Sequence, residues 1–486
     1  MKLYFINPPF KGEYGKFSRE SRSPSIGHSG VLYYPLWLIY AAAYLKKEGY
    51  DVEFLDAPAK KMNFEESFKI IKETGENTKI FVVDTSTPSI YSDIKFVAEL
   101  KKIYPNSFIV LVGTHPSALD IETLELNNNI DAIARKEYDL IIKNLAKALE
   151  NKIDLKNVKG LTYRLNGKIY RNQDEELINN LDEIPFASQF IKEHLEVKDY
   201  FFPAASYPEI QIFTGRGCPC FCNFCVYPQL MHGRNYRARS AENVVAELEY
   251  IDKNFPDVKE IVIEDDTFTI SKERVLKICN LMIEKKLHKR FKWLCNARVN
   301  LDLETMKKMK EAGCRLIIPG IESGNQNILN NIKKGTNLEQ VKNYVKNAKK
   351  AGLLIHACYM VGNEGETKET MEETLKLAIE LNTDTAQFFP LMPYPGTEAY
   401  NFSKKKGYIN GDFENYCKED GTHNCILNLP NLSSRELVEF CDYARKKYYL
   451  RPRYILHRLF MGIKSPSDLV RSLKAFKSMK KYLFKK

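Results

Sequence analysis

The segment EIQIFTGRGCPCFCNFC, residues 209–225, ends an apolar run in a loop that holds four of the eleven cysteines of a 486-residue chain. Read as a strand emptying into a loop, it opens a series. Apolar strand segments at 209–214, 260–266, about 291–297, 314–320, 354–362 and 386–391 alternate with helical stretches at 240–254, 271–286, 302–312, 338–351 and 367–381. Such alternation predicts a parallel α/β architecture, and six strand–helix units make an open, partial (β/α)6 barrel of the TIM type rather than a closed eightfold one. Cysteines used this sparingly, in a chain that begins MKLYFINPPF without a secretory pattern, are expected to be reduced thiols rather than a disulfide framework. Cys218, Cys222 and Cys225 form a C-x3-C-x2-C set. A structural zinc site wants a fourth ligand and a second, separated pair, which the sequence lacks. Three thiolates on one tight loop can hold three irons of a cubane cluster and leave the fourth iron open to a substrate or cofactor. Cys220 is then an alternative ligand or a small buried residue, and Cys279, Cys295, Cys314 and Cys358 are expected in the core.

Upstream, strand candidates at 2–9, 52–57, 80–86 and 108–114 alternate with helical stretches such as PLWLIYAAAYLKK (35–47) and IYSDIKFVAELKKIY (90–104). This is the pattern of a doubly wound, Rossmann-like sheet, whose ligands lie past the carboxyl ends of the strands, here the loops after Ile6, Asp84 and Gly113. Between 151 and 208 the alternation lapses, and VKGLTYRLNGKIYRN (158–172) reads as a hairpin turning at Asn166-Gly167. The expected division is a Rossmann-like unit at 1–150, a connector at 151–208, the barrel at 209–402 and an extension at 403–486.

The formal net charge of +11 suggests a nucleic-acid partner until it is located: residues 450–486 hold eleven Lys or Arg against one Asp, and the rest is nearly neutral. In that tail Leu459, Phe460, Ile463, Leu469, Leu473 and Phe476 recur at helical spacing. The extension therefore reads as basic amphipathic helix, suited to docking on the body or to an anionic membrane surface. Nucleic acid is not an expected partner. No run of about 18 uninterrupted apolar residues occurs. The expected location is cytoplasmic, with membrane association through the tail. Cys417, Cys425 and Cys441 of the extension are expected to be packing residues.

The C-x3-C-x2-C spacing resembles the signature of the radical S-adenosylmethionine (radical SAM) superfamily, and four further motifs follow in that family's order. EDDTF (264–268) resembles the acidic motif that holds the methionine amino group, and GIESG (320–324) the segment whose carboxylate contacts SAM. MVGNEGET (360–367) resembles the GxPGET turn, with Asn363-Glu364 where Leu-Pro or a similar pair is commoner, and PYPGTEAY (393–400) the segment after the sixth strand. Arg298 stands where the family often touches SAM. The resemblance implies a [4Fe-4S] cluster on Cys218, Cys222 and Cys225, and S-adenosylmethionine contacts from Glu264, Asp265, Arg298, Glu322 and Ser323. It also implies that the open iron chelates the amino and carboxylate groups of SAM. Reductive cleavage would then give a 5'-deoxyadenosyl radical that removes hydrogen from an unactivated carbon.

A doubly wound unit ahead of such a barrel resembles the cobalamin-binding branch of the superfamily. NPP (7–9), YPLWLIYAAAYLKKEGYDVEFLDA (34–57), VGTHPSAL (112–119) and DAIARKEYD (131–139) have the look of that branch. STPSIYSD (86–93) and CVYPQLMHGRNYRARSAENVVAELEYI (225–251) are most similar to the hopanoid-biosynthesis-associated proteins and the anaerobic magnesium-protoporphyrin ester cyclases. This resemblance implies cobalamin, contacted by Pro8, Ser86, Thr87, Gly113 and His115. The D-x-H-x-x-G motif of other cobalamin proteins is absent, and VGTHP replaces the commoner GGxHP. Taken alone, His28 and His115 read as hydrogen-bonded loop residues. The implied activity is methylation, cyclisation or rearrangement at an unactivated carbon of a lipid-like or small-metabolite substrate, with a reducing donor such as flavodoxin or ferredoxin. The runner-up is a cobalamin-free radical SAM enzyme whose first unit binds substrate. An iron-sulfur carrier or sensor is the weakest reading, because it leaves GIESG and the acidic strand end without use.

Overall fold

The computed structural model describes residues 1–10, 16–26, 30–422 and 424–464. Its first sheet contains β1 (Lys2–Asn7), β2 (Asp51–Asp56), β3 (Thr78–Asp84), β4 (Phe108–Val112) and β5 (Ala132–Ala134), parallel and ordered β2-β1-β3-β4-β5. Side chains alternate between two covered faces. Leu3, Phe5, Val82 and Val110 point to one core, and Tyr4, Ile6, Val83 and Leu111 to the other. Burial on both faces explains the near-continuous apolar runs in the sequence. The order reverses direction between β1 and β3, which makes the carboxyl ends of those strands the natural crevice.

The hairpin expected in the connector belongs to this sheet. β6 (Leu161–Leu165) pairs antiparallel with β5, and β7 (Lys168–Arg171) completes seven strands. Asn166 and Gly167 both take positive φ, +51° and +76°, as a two-residue turn requires. The hairpin docks here because β5 would otherwise present an unpaired edge.

The second sheet has β8 (Glu209–Ile212), β9 (Glu260–Ile263), β10 (Lys292–Ala297), β11 (Cys314–Glu322), β12 (Leu354–Val361) and β13 (Thr385–Pro390), all parallel and in chain order. The connecting helices begin at Ser240, Ser271, Asp302, Asn337 and Thr367, each of whose side chains accepts a backbone N–H of the first turn. One end of this open barrel is plugged: Val262, Leu294 and Leu316 pack against Phe202 and Ala205 of the connector, with Tyr33 beside them.

The two units share a core. Helix Leu36–Lys47 is buried over residues 36–45, which is why its sequence is apolar all round. It lies between the sheets: Tyr40 Oη donates to Phe213 O at 3.2 Å and accepts from Phe213 N at 3.1 Å, while Tyr34 Oη donates to Glu209 O at 3.1 Å. Buried ions cross the same boundary, with Arg216 bonded to Asp139 at 2.9 Å and to Glu137 at 3.3 Å, and Arg237 also bonded to Glu137.

Helix Ser434–Tyr449 of the extension covers the outer strand β13, burying Leu437, Ala444 and Tyr448, and Tyr449 Oη donates to Ala386 O at 2.7 Å. Cys417, Cys425 and Cys441 are buried, as expected of packing residues. Helix Pro452–Lys464 leaves Ile455, Leu456, Leu459 and Phe460 exposed. The remaining tail positions, Leu469, Leu473 and Phe476, lie outside the described residues, as does His28. Among the described residues no helix is long and apolar enough to cross a membrane.

Candidate functional site

The cysteine loop leaves β8 and is stapled at its base. Gly215–Arg216 pairs antiparallel with Arg237–Ala238. Gly217 N donates to Asp266 Oδ2 at 3.0 Å, and the same oxygen meets His232 Nδ1 at 3.1 Å. Gly217 is required: its φ is +89°, and a Cβ there would lie 2.2 Å from Asn235 O. All the loop cysteines are free thiols. Cys220, expected as a possible buried bystander, is only half-buried. A hydrogen bond with Cys218 pulls its thiol down to about 6, helped by Arg298, Lys334 and Arg234 and opposed by burial, while the same bond pushes Cys218 up. Burial pushes Cys225 up to about 12, with Cys222 and Asp266 adding to it. Among the described residues no three of these groups converge as a preformed ligand set. The donor chemistry nonetheless suits an iron-sulfur cluster. Arg298 Nη1 stands 4.0 Å from Cys222 Sγ, and Arg22 opposes the rise at Cys225, so cations lie beside the sulfur atoms that would bind iron.

Around the loop the expected SAM contacts divide. Glu264, at the end of β9, accepts from Asn296 Nδ2 at 3.1 Å and from Arg22 Nη1 at 3.0 Å. Arg298 Nη2 donates to Lys334 O at 2.6 Å, and Lys334 Nζ donates to Glu322 Oε1 at 2.7 Å. Burial alone would lower Lys334, but Glu322 and Cys222 outweigh it and hold the ammonium above its usual range. Glu322 takes φ +67°, an unusual backbone state for a residue with a side chain, of the kind that collects at functional sites. Gly320 makes room for the pair, since a Cβ there would lie 2.2 Å from Glu322 Oε1. Asp265 and Ser323 correct the expectation. Both Asp265 oxygens are held by Thr214, from its N and its Oγ1 at 2.6 Å each, and Ser323 is fully buried against Thr374 at 3.2 Å while accepting from Asn325 N. Their short polar side chains close strand ends, so neither faces the site.

At the carboxyl edge of the first sheet, the residues singled out in the sequence are engaged internally. Pro8 O accepts from Arg19, Ser86 Oγ meets Ser89 Oγ at 3.0 Å, and His115 Nδ1 meets Thr87 Oγ1 at 3.2 Å. His115 lies edge-on to Phe413 at 4.7 Å, and burial pushes its imidazole down to about 3, so it stays neutral and covered. Gly113 has φ +111°, and a Cβ there would meet Thr85 O at 2.1 Å, so this glycine serves the close approach of β3 and β4. The side chains of Ser86, Thr87 and His115 are therefore spent on each other and on the extension. Other groups remain open. Trp37 Nε1, Asp84 Oδ2 and Tyr138 Oη are buried without a hydrogen-bond partner among the described residues. They lie about Glu20, whose oxygens accept Trp37 N at 2.7 Å and Leu38 N at 2.9 Å; burial pushes the Tyr138 hydroxyl up, and the Glu20 charge adds to it. Buried polar atoms are normally paired. Orphans at a switch point fit the amide-rich rim of a cobalamin. Trp37 also packs edge-on against Tyr227 at 4.8 Å and His232 at 5.5 Å, which joins this crevice to the cysteine loop.

Comparison with known proteins bears on this arrangement. The profile of the radical SAM superfamily matches residues 212–378, and that of the B12 binding domain matches residues 23–146. An uncharacterized methyltransferase of Pyrococcus horikoshii is 34% identical over 463 residues, covering 95% of each chain. The chain is a cobalamin-domain radical SAM protein. Among its relatives is the anaerobic magnesium-protoporphyrin IX monomethyl ester cyclase of Rubrivivax gelatinosus, 29% identical over 91% of this chain and 78% of that one. In fold, this radical SAM protein is similar to the cobalamin-dependent S-adenosylmethionine radical enzyme OxsB with aqua-cobalamin and S-adenosylmethionine bound (TM-score 0.71, 16% identity, 97% and 72% coverage). It is also similar to the radical S-adenosylmethionine methyltransferase TsrM of Kitasatospora setae (TM-score 0.68, 16% identity, 93% and 91% coverage).

Several site residues of this radical SAM protein carried no readable signal. Arg22 sits in a polar loop nearly 200 positions from the cysteines, and Lys334, His232 and Asp266 belong to no periodic pattern. Cys358, expected in the core, is half-buried on the barrel face that also carries Leu354 and His356. Although Asp266 lies in the EDDTF segment, its role as a clamp on Gly217 emerges only from the folded loop.

Proposed function

We propose that this protein is a cobalamin-dependent radical SAM methyltransferase acting on an unactivated carbon of a small or lipid-like molecule. The observation that carries the reading is the juxtaposition, across Trp37, Tyr227 and His232, of the three-cysteine loop and a crevice with orphaned polar atoms. Cys218, Cys222 and Cys225 would hold the cluster, Glu264 the SAM amino group, and Trp37, Asp84 and Tyr138 the rim of the cobalamin. When bound, these groups supply an electron for SAM cleavage, a carbon radical and a carrier for a methyl group. The chain itself positions and shields. Arg298 and Lys334 balance charge beside the thiolates, and Phe202 with Tyr33 seals one end of the barrel against water. His356 Nδ1 meets Thr385 Oγ1 at 2.7 Å, and with Cys358 and Gln387 it lines the barrel face left for the substrate. Burial holds this imidazole below its usual range, and its Nε2 meets Gln387 Oε1 at 3.3 Å, so both ring nitrogens are engaged along that face.

Anaerobic expression with cobalamin, followed by reconstitution and measurement of iron, sulfide and cobalt per chain, tests the proposal. About four irons with one cobalt supports it. Four irons without cobalt supports instead a cobalamin-free enzyme whose first unit binds substrate. The likeness to the ester cyclase favours one second reading, radical ring closure, and methyl-labelled SAM separates the two because only methyl transfer leaves label in the product.

The exposed Ile455, Leu456, Leu459 and Phe460, next to the basic tail, also support peripheral contact with an anionic membrane. Sedimentation with vesicles containing anionic lipid at low salt, and release at high salt, is the expected result. Equal recovery with neutral vesicles would overturn it. A flavodoxin- or ferredoxin-like protein is the class of electron donor the cluster requires.

A further inference from the structure

We propose that Arg22, a residue of the first unit, is the carboxylate receptor for the amino-acid head of SAM in the barrel. The proposal deepens the reading of Glu264 as the amino-group contact and rests on it.

The loop 16–26 spans both units through successive side chains. Arg19 donates to Asp93 Oδ1 at 2.5 Å, to Asn7 Oδ1 at 2.8 Å and to Pro8 O, tying the loop to the carboxyl edge of the first sheet. Glu20 caps helix Leu36–Lys47 with its side chain, and its carbonyl accepts from Tyr227 Oη at 2.6 Å, just past the cysteine loop. Arg22 then enters the barrel mouth. Its Nη1 donates to Glu264 Oε2 at 3.0 Å and its Nη2 to Asp265 O at 3.0 Å, with the guanidinium 5.3 Å over the Tyr227 ring. Ser23 Oγ, next along, meets Tyr394 Oη at 3.3 Å. The guanidinium is thus held in place by its neighbours, and its side chain retains 41% exposure.

The α-amino acid head of SAM carries an ammonium and a carboxylate on one carbon. Glu264 and Arg22 present the complementary charges in direct contact. Glu264 uses Oε2 for Arg22 and Asn296, which leaves Oε1 to accept an N–H of the SAM amino group. Arg22 has five N–H donors and spends two on these contacts, which leaves donors for a carboxylate oxygen in the geometry guanidinium favours. The other cations nearby are directed elsewhere: Lys334 pairs with Glu322, and Arg298 meets Lys334 O and Cys222 Sγ, whereas Arg22 is the cation in direct contact with Glu264. The SAM site of the barrel is therefore completed by the first unit, and a change in that unit's loop reaches SAM directly.

The test is equilibrium dialysis of cluster-loaded protein without reductant, comparing SAM with decarboxylated SAM, which keeps the amine and sulfonium and lacks the carboxylate. Arg22→Ala is expected to weaken SAM roughly 10- to 100-fold, the loss of a charge-assisted hydrogen bond, and decarboxylated SAM less than about threefold. Arg22→Lys is expected to fall between, because an ammonium keeps the charge and loses the fork. Iron content equal to the unaltered protein controls for folding. SAM binding by Arg22→Ala within about threefold of the unaltered protein would overturn the proposal. So would an equal loss for both ligands, which would make Arg22 only a prop for Glu264. Glu264→Gln separates the two levels: if it leaves both ligands unchanged, the SAM-site reading itself fails and the proposal with it.

Discussion

Among single residues, the cysteines give the sharpest expectation. Cys222→Ala removes one of the three proposed ligands and is expected to eliminate the cluster and SAM cleavage. Cys220→Ala removes the partner of Cys218 and is expected to leave about four irons per chain, because it frees a ligand thiol rather than deleting one. Iron analysis and 5'-deoxyadenosine release check both, and normal turnover by Cys222→Ala would defeat the assignment. Asp84 gives a pH expectation. Burial pushes it up to about 8, with Arg19 opposing and Asp93 and Asp56 adding, and its charge also bears on Glu20 and Tyr138. The folded protein therefore keeps a proton that the unfolded chain loses above about pH 4. That contribution is fully present below pH 4 and declines toward pH 8, by up to about 1.4 kcal/mol per unit. Asp84→Asn, neutral throughout, is expected to show a smaller fall in melting temperature between pH 5.5 and 8.0 than the unaltered protein. An equal or larger fall would contradict the protonated state.

Secondary-structure elements show how edges are managed. The first sheet is closed on one side by the hairpin β6–β7, and β13 of the second sheet is covered by helix Ser434–Tyr449. An uncovered outer strand invites pairing with other chains. The helix is held by Leu437, fully buried, and by Tyr449, which both accepts from and donates to the backbone of Ala386. Leu437→Ala is expected to cost about 2–5 kcal/mol, since the cavity opens under a helix anchored at several other points and cannot collapse freely. Thermal unfolding by circular dichroism checks the loss. Its expected companion is faster aggregation on heating as β13 is uncovered, followed by light scattering.

For the whole molecule, the two units behave as one body because their boundary is a core rather than a wetted interface. Arg216 is buried between Asp139 and Glu137, with Arg237 sharing Glu137. Calorimetry is expected to show one cooperative transition for both units. Arg216→Met leaves Asp139 buried without its cation and is expected to cost about 3–5 kcal/mol. In that variant the transition is expected to split, the first unit separating from the barrel. A single unshifted transition would show that the coupling is carried without Arg216, by helix Leu36–Lys47 and the Arg237–Glu137 pair.

The alternation of strand and helix in both units, except the short β5, and the cysteine loop were legible in the sequence, while Glu264, Arg298 and Glu322 stood out through motifs that resemble those of the radical SAM family. Near-continuous apolar runs, capped helices and closely spaced cysteines are local patterns, and local patterns are written in adjacent residues. The placement of the hairpin was not legible, because a strand's partner is chosen by which sheet edge lies open. Nor was the inward turn of Asp265 and Ser323 legible, because neighbouring polar residues share a motif while only one can face the cavity. Arg22 and the orphaned Trp37, Asp84 and Tyr138 were hidden for the same reason: contacts between distant segments depend on how two sheets meet. The sequence by itself determined the class of chemistry and the elements that bear it. Tertiary structure alone decided which side chains reach the crevice, since burial and charge pairing are settled across the fold and not along the chain.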